Sequence, residues 1–235
     1  MNRSDIILYF DCLSGISGDM TVGAFLGLGI SIDYLTEELK KLGLEGYSIS
    51  FSQVKRHSLL ANKFKVEVNP SQPIRGYGDI VKLISESSLR ENVKDISLKI
   101  FEEIAKAEAI VHCQDIDDVH FHEVGAVDTI VDVVSTAICI DKINPDTIVS
   151  SPIPLGRGNT KTHHGTIPVP APATLEILKG LPVYGGDFDF EVTTPTGAAI
   201  VKTLVKDFCA MPLMEVEKIG VGAGDVDTKE VPNLL

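Results

Sequence analysis

A chain of 235 residues, 44% hydrophobic and 23% charged, carries enough apolar material to bury a core. Its net charge of −12 argues against nucleic acid or an anionic membrane surface as the main partner, because both demand a basic face. There is no apolar run of about eighteen residues to cross a bilayer, and Met1-Asn2-Arg3-Ser4-Asp5 lacks the regions of a signal peptide. Four widely spaced cysteines, Cys12, Cys113, Cys139 and Cys209, with no C-x-x-C, fit reduced thiols in a cytoplasmic protein.

The chain opens with a continuous apolar run over 6–10, which predicts a strand covered on both faces. It ends in Asp11-Cys-Leu-Ser-Gly-Ile-Ser-Gly-Asp19, and a helix is expected from Met20 to Leu28. Strand, glycine-rich turn and helix point backbone N–H groups at an anion, so Ser14, Gly15, Ser17, Gly18 and Asp19 are candidate ligand contacts. Asp11, at the carboxyl end of the strand, joins them. Neither G-x-G-x-x-G nor G-x-x-x-x-G-K-[ST] is matched, and a tight turn with Ser17 or Asp19 as N-cap is the plain alternative. Ser31 caps a second helix to Leu42. Alternation over 47–54 and 64–68 predicts a hairpin around Lys55-Arg-His-Ser58, with His57 exposed. A break at 69–73 offers a weak internal boundary. Helices are expected over 79–87 and 91–112, where His112 suits the negative helix end.

The most informative stretch is Val119-His-Phe-His-Glu-Val-Gly-Ala-Val-Asp128-Thr-Ile-Val-Asp132. In an extended segment His120 and His122 share one face. From Ala126 the period becomes helical, and Val127, Ile130, Val131, Val134 and Ile138 lead a nearly all-apolar helix. Its polar stripe is Asp128, Asp132 and Ser135 or Thr136. Buried carboxylates are costly unless paired or bound to a metal. His120, His122, Glu123, Asp128 and Asp132 are therefore candidate metal ligands, with His164 from a later segment; imidazole suits nickel, zinc, copper and iron. The bland alternative has the histidines cross-linking the core and the aspartates pairing with Lys or Arg.

A strand follows over 146–150. The run from Ser151 to Pro172 holds five prolines and three glycines, which excludes a helix and reads as a long loop without secondary structure. Arg157, between two glycines, is suited to bidentate contact with a carboxylate or phosphate, and Lys161 adds a second cation. A surface loop with solvated basic residues is the alternative. A short helix over 173–179, a turn and strand region through 184–192, and a helix from Thr194-Pro195 to about Phe208 come next. Thr194, Thr196 and Gly197 at that helix start are further anion-binding candidates. A last strand over 214–219 and a flexible turn over 220–225 close the reading. The fold class is α/β, with a mixed β-sheet flanked by helices over one 1–235 domain region.

Four long motifs carry a resemblance: Asp11-Cys-Leu-Ser-Gly-Ile-Ser-Gly-Asp-Met20, Val119-His-Phe-His-Glu-Val-Gly-Ala-Val-Asp128, Pro-Leu-Gly-Arg-Gly158 with His164-Gly-Thr-Ile-Pro-Val-Pro-Ala-Pro172, and Thr193-Thr-Pro-Thr-Gly-Ala-Ala199. In this order, across nearly the whole chain, they resemble the nickel-pincer nucleotide insertion protein (LarC) family. The resemblance implies insertion of Ni(II), the substrate metal, into pyridinium-3,5-bisthiocarboxylic acid mononucleotide. That forms a nickel–carbon bond in the cofactor of lactate racemase, a lyase-type reaction dependent on CTP with Mg or Mn. The family pattern continues past Pro232-Asn233, so a C-terminal domain, on a longer or separate chain, is expected as partner and as the place of CTP. Metalation at ring carbon needs a base, for which His120, His122 and Asp128 are the catalytic candidates. A nickel or nucleotide carrier without catalysis, and a metal-dependent phosphate-ester hydrolase, are the competing readings; a homo-oligomer stays open.

Overall fold

The computed structural model describes residues 5–70, 72–73, 75–119, 127–162, 165–226 and 231–235. Its central layer is a three-stranded parallel sheet of β1 (Ile7–Phe10), β4 (Thr147–Ser150) and β9 (Asp207–Phe208), in the order β1-β4-β9. Leu8 lies opposite Ile148 and Ser150 opposite Phe208. Because β1 is an edge, its first three residues are half-buried and only Phe10 is buried, where coverage on both faces was expected. Parallel and antiparallel pairings both occur, in separate small sheets. β2 (Tyr47–Arg56) and β3 (Leu59–Val68) form an antiparallel hairpin that turns at His57, φ 53°. β3 thus starts five residues earlier than the alternation suggested, since Leu59 and Leu60 are exposed strand residues.

The helices follow their sequence signals closely. α1 (Gly18–Gly27) starts at Ser17, whose Oγ accepts from Met20 N at 3.4 Å. α2 (Ile32–Lys40) is capped by Ser31. α3 (Tyr77–Glu86) and α4 (Glu91–His112) follow, and α4 ends on Cys113 in the left-handed conformation. Exposed Lys99–Asp95 and Lys106–Glu102 pairs one turn apart line the outer side of α4. α5 (Val127–Ile143) is the hub of the core. Ile130, Val131, Val133, Val134, Ala137 and Ile138 have no exposure, and it packs against α1, α2 and α4. A single apolar cluster runs from Phe10 and Phe64 through Ile80 to Ile200, on both sides of 69–73.

Four further expectations are corrected. The proline-rich run holds β5 (Ile153–Leu155), β6 (Gly158–Thr162) and β7 (Gly165–Val169). β5 pairs in parallel with β8 (Val183–Gly185), and β6 pairs with β7 as a hairpin. Pro154 and Pro168 lie in strands of two-stranded sheets, where an edge leaves proline's missing donor without cost. After α6 (Pro172–Ile177), α7 (Pro195–Leu204) stops four residues short of Phe208, because Lys206 N and Cys209 N bond Ile148 O (2.9 Å) and Ser150 O (2.8 Å) to place β9. Residues 214–219 form no strand; no neighbour among the described residues pairs with them, and Val216 and Ile219 are exposed. The expected flexible turn over 220–225 is instead a strap laid along α1. It is fixed by Asn62 N to Val221 O (2.8 Å) and Ala223 N to Asn62 O (2.9 Å). A β-carbon on Gly220 or Gly222 would overlap the carbonyl oxygens of Ala24 and Met20.

Candidate functional site

Two helix starts are stitched together beside the β1 end. Ile16 N donates to Val192 O (2.9 Å) and Thr194 N to Ile16 O (3.1 Å), a parallel bridge that sets the N-termini of α1 and α7 side by side. Thr194 caps α7, its Oγ1 accepting from Gly197 N at 3.2 Å. Gly197 leaves no room for a β-carbon against Ile16 O. Of the candidates in these turns, Gly15, Ser17, Gly18, Thr196 and Gly197 are buried, Ser14, Asp19 and Thr194 half-buried, and Asp11 exposed.

The N-terminus of α1 meets the polar stripe of α5 at Gly18. A β-carbon there would stand 2.5 Å from Asp132 Oδ2, so glycine lets this carboxyl lie against the helix start. Asp132 Oδ1 is buried and has no hydrogen-bond partner among the described residues. The residue as a whole keeps some accessible surface, but the charge sits on the carboxyl, and that is what burial acts on. Burial pushes its pKa well above the ordinary carboxylate range, Asp19, Asp128 and Asp225 push it further, and Lys63 opposes them. One turn earlier, Asp128 accepts from Thr129 N at 2.8 Å. Though exposed as a residue, its pKa is also raised, first by desolvation and then by Asp19, against the Thr129 N–H.

Among the described residues one cation sits in this acidic neighbourhood. Lys63, on β3, bonds Asp19 Oδ2, Asp225 Oδ1 at 2.8 Å and Ala223 O at 3.3 Å. Burial would lower its pKa, but Asp19 and Asp225 outweigh that and hold it above the usual lysine value. Asp19 is held in turn by the Ser17 hydroxyl, which donates to its Oδ1. Lys63 and Asp225 carried no signal in the sequence. One falls just before the alternating run over 64–68, and the other follows a glycine-rich stretch.

The remaining candidates divide. Arg157 does pair with carboxylates, but with one nitrogen on each of two rather than bidentately on one, and they are the chain's own Asp187 (2.8 Å) and Asp189 (2.7 Å). No ion pair among the described residues joins it to Asp19 or Asp132. Lys161 is exposed on β6. His120, His122, Glu123 and His164 lie outside the described residues. Among the described residues no three His, Cys, Asp or Glu side chains already form a metal-holding group. No helix among them is long and apolar enough to cross a membrane.

A family model described as nickel insertion protein matches residues 8–235. A protein of Geotalea uraniireducens, provisionally named a nickel insertion protein, is 49% identical over 231 residues, covering 97% of this chain and 59% of its own length. The pyridinium-3,5-bisthiocarboxylic acid mononucleotide nickel insertion protein of Geobacillus kaustophilus is 47% identical over 239 residues, covering 97% and 58%. The chain thus spans somewhat under two thirds of the relatives it matches. No solved structure matches it.

Proposed function

The chain belongs to the nickel insertion protein family, and we propose that it handles the nickel in building a nickel-bearing nucleotide, with the carboxylate group of Asp19, Asp128 and Asp132 at the receiving end. The observation that carries this is the Asp132 carboxyl against Gly18, whose Oδ1 is buried and has no partner among the described residues, in a place that repels a second anion and welcomes a cation. The nucleotide of the Geobacillus relative's name is the proposed acceptor of the metal. Its thiocarboxylates and phosphate are anions, and the paired N-termini of α1 and α7 offer the nearby positive ends that such groups need. Forming a bond from nickel to ring carbon displaces a ring proton. His120, His122 and Asp128 are the proposed acceptors of that proton, with His120, His122, Glu123 and His164 as further proposed ligands. Maturation of a lactate racemase, a lyase-type reaction and a cytoplasmic setting belong to the same proposal.

A CTP-metal complex does not fit the described residues. A triphosphate carries more negative charge than two helix N-termini answer, and Arg157 and Lys63 are each already paired with two aspartates. We therefore assign the nucleoside triphosphate, with its Mg or Mn, to the part of the relatives' length that lies outside the match. The test is calorimetric titration of Ni(II) into the 235-residue chain, wild type against Asp132→Asn and His120→Ala/His122→Ala. Stoichiometric binding lost in the variants is the expected result; binding indifferent to all three substitutions rejects the assignment. If the wild type binds nickel and the nucleotide but makes no metalated product, the chain works as a carrier.

A further inference from the structure

We propose that Lys63 is a resident placeholder in the cation site: its ammonium neutralises Asp19 and Asp225 until a divalent cation takes the carboxylates over. The inference rests on the reading that nickel is received beside Asp132, and it adds a residue to that site and a way of loading it. An ammonium has three donors. Here they go to Asp19 Oδ2, Asp225 Oδ1 and Ala223 O, and none reaches Asp132. The acidic groups facing this point come from every element around it: Asp19 on α1, Asp128 and Asp132 on α5, and Asp225 on the strap, with Lys63 on β3 the one cation in contact with them among the described residues. One positive charge is shared by two carboxylates, and the buried Asp132 Oδ1 is left with no partner among the described residues.

The ammonium and a divalent ion are therefore competitors. A divalent ion brings two charges to the same carboxylates and takes more oxygen ligands than the ammonium has donors, so it can engage Asp132 as well as Asp19. Lysine suits the part of the displaced group. Its charge is compact and well hydrated, and its flexible stem rises from a hairpin position whose cross-strand partner, Ser52, is exposed. Its side chain keeps 12% of its accessible surface while paired, so the route to solvent is short. Asp225 is held by the strap, which Arg56 also grips through Gly224 O at 2.8 Å, so the strap stays docked when the ammonium leaves.

A placeholder and a mere structural ion pair predict opposite signs. Nickel alone, titrated calorimetrically, should bind Lys63→Met about tenfold more tightly than wild type, because the competitor is gone, whereas Lys63→Arg should stay near wild type. Weaker or unchanged binding in a folded Lys63→Met overturns the proposal. A second measurement needs no variant: acylation of wild-type lysines by an amine-reactive reagent, read by mass spectrometry. Lys63 should become several-fold more reactive when nickel is added, and a constant rate overturns the placeholder even if Lys63→Met does not fold. The reading it rests on fails separately. If Asp132→Asn binds nickel like wild type, or wild type binds none, the site itself is rejected. If Asp132→Asn loses nickel while Lys63 does not respond, only the placeholder is.

Discussion

At the scale of single residues, the site is organised by what Gly18 permits. A methyl group there would press on the Asp132 carboxyl, so Gly18→Ala should push that side chain away and lower stability by about 1–3 kcal/mol, measured by denaturant unfolding. The carboxyl itself makes a signed prediction. Its folded pKa is raised by burial and by the neighbouring Asp19 and Asp128, so between the ordinary carboxylate range and that raised value the native state holds a proton that the unfolded chain has lost. Stability tied to Asp132 therefore falls as pH rises through this window, by about 1.4 kcal/mol for each pH unit crossed. Asp132→Asn, which carries no charge, should be more stable than wild type at pH 7 and gain much less near pH 4. Equal gains at both would show that the carboxyl is not under electrostatic stress. Cysteine reactivity follows the same logic: burial pushes the Cys12 thiol up to about 12, whereas Cys113 is exposed at the α4 end. A thiol reagent should label Cys113 in the native protein and reach Cys12 only on unfolding.

At the scale of elements, what was legible in the sequence is what local chemistry decides. The bounds of α4, the Ser31 and Thr194-Pro195 helix starts, and the buried α5 with its Asp128–Asp132 stripe all follow from caps and periodicity, and all are present. What was not legible depends on partners. The strands β5 to β7 were hidden by prolines that their edge positions tolerate, and residues 214–219 alternate like a strand but lie beside no pairing neighbour among the described residues. The candidate site divided the same way. Gly18, Asp19 and Asp132 announced themselves in motifs, whereas Lys63 lies 44 residues from Asp19 and meets it only because the hairpin packs on α1. The strap makes the element-scale prediction. Gly222→Ala places a methyl on the Met20 carbonyl, which cannot yield without disturbing α1. It should lower the melting temperature by several degrees and weaken nickel binding, since this strap carries Asp225, one of the carboxylates proposed to pass from Lys63 to the metal. Phe64→Ala, one residue on and pointing into the core, should cost about 3–5 kcal/mol and leave the nickel affinity of the folded fraction unchanged.

At the scale of the whole molecule, a net charge of −12 treats the two proposed substrates oppositely. The field draws a divalent cation toward the carboxylates of α1 and α5 and repels an anionic nucleotide from the same region. Nickel bound first cancels part of that repulsion and presents a ligand-hungry metal to the thiocarboxylates. The two affinities must therefore be coupled, and the coupling must be reciprocal. In calorimetry on the intact chain, the bisthiocarboxylate nucleotide should bind at least about tenfold more tightly with nickel present, a coupling of roughly 1.4 kcal/mol. The salt responses should diverge as well. Nickel binding should weaken as ionic strength rises, whereas nucleotide binding without nickel should strengthen, because salt screens attraction in one case and repulsion in the other. A nucleotide affinity indifferent to nickel would mean that the two ligands sit too far apart for one to be inserted into the other on this chain. The metal transfer would then belong to the length that the relatives carry beyond it.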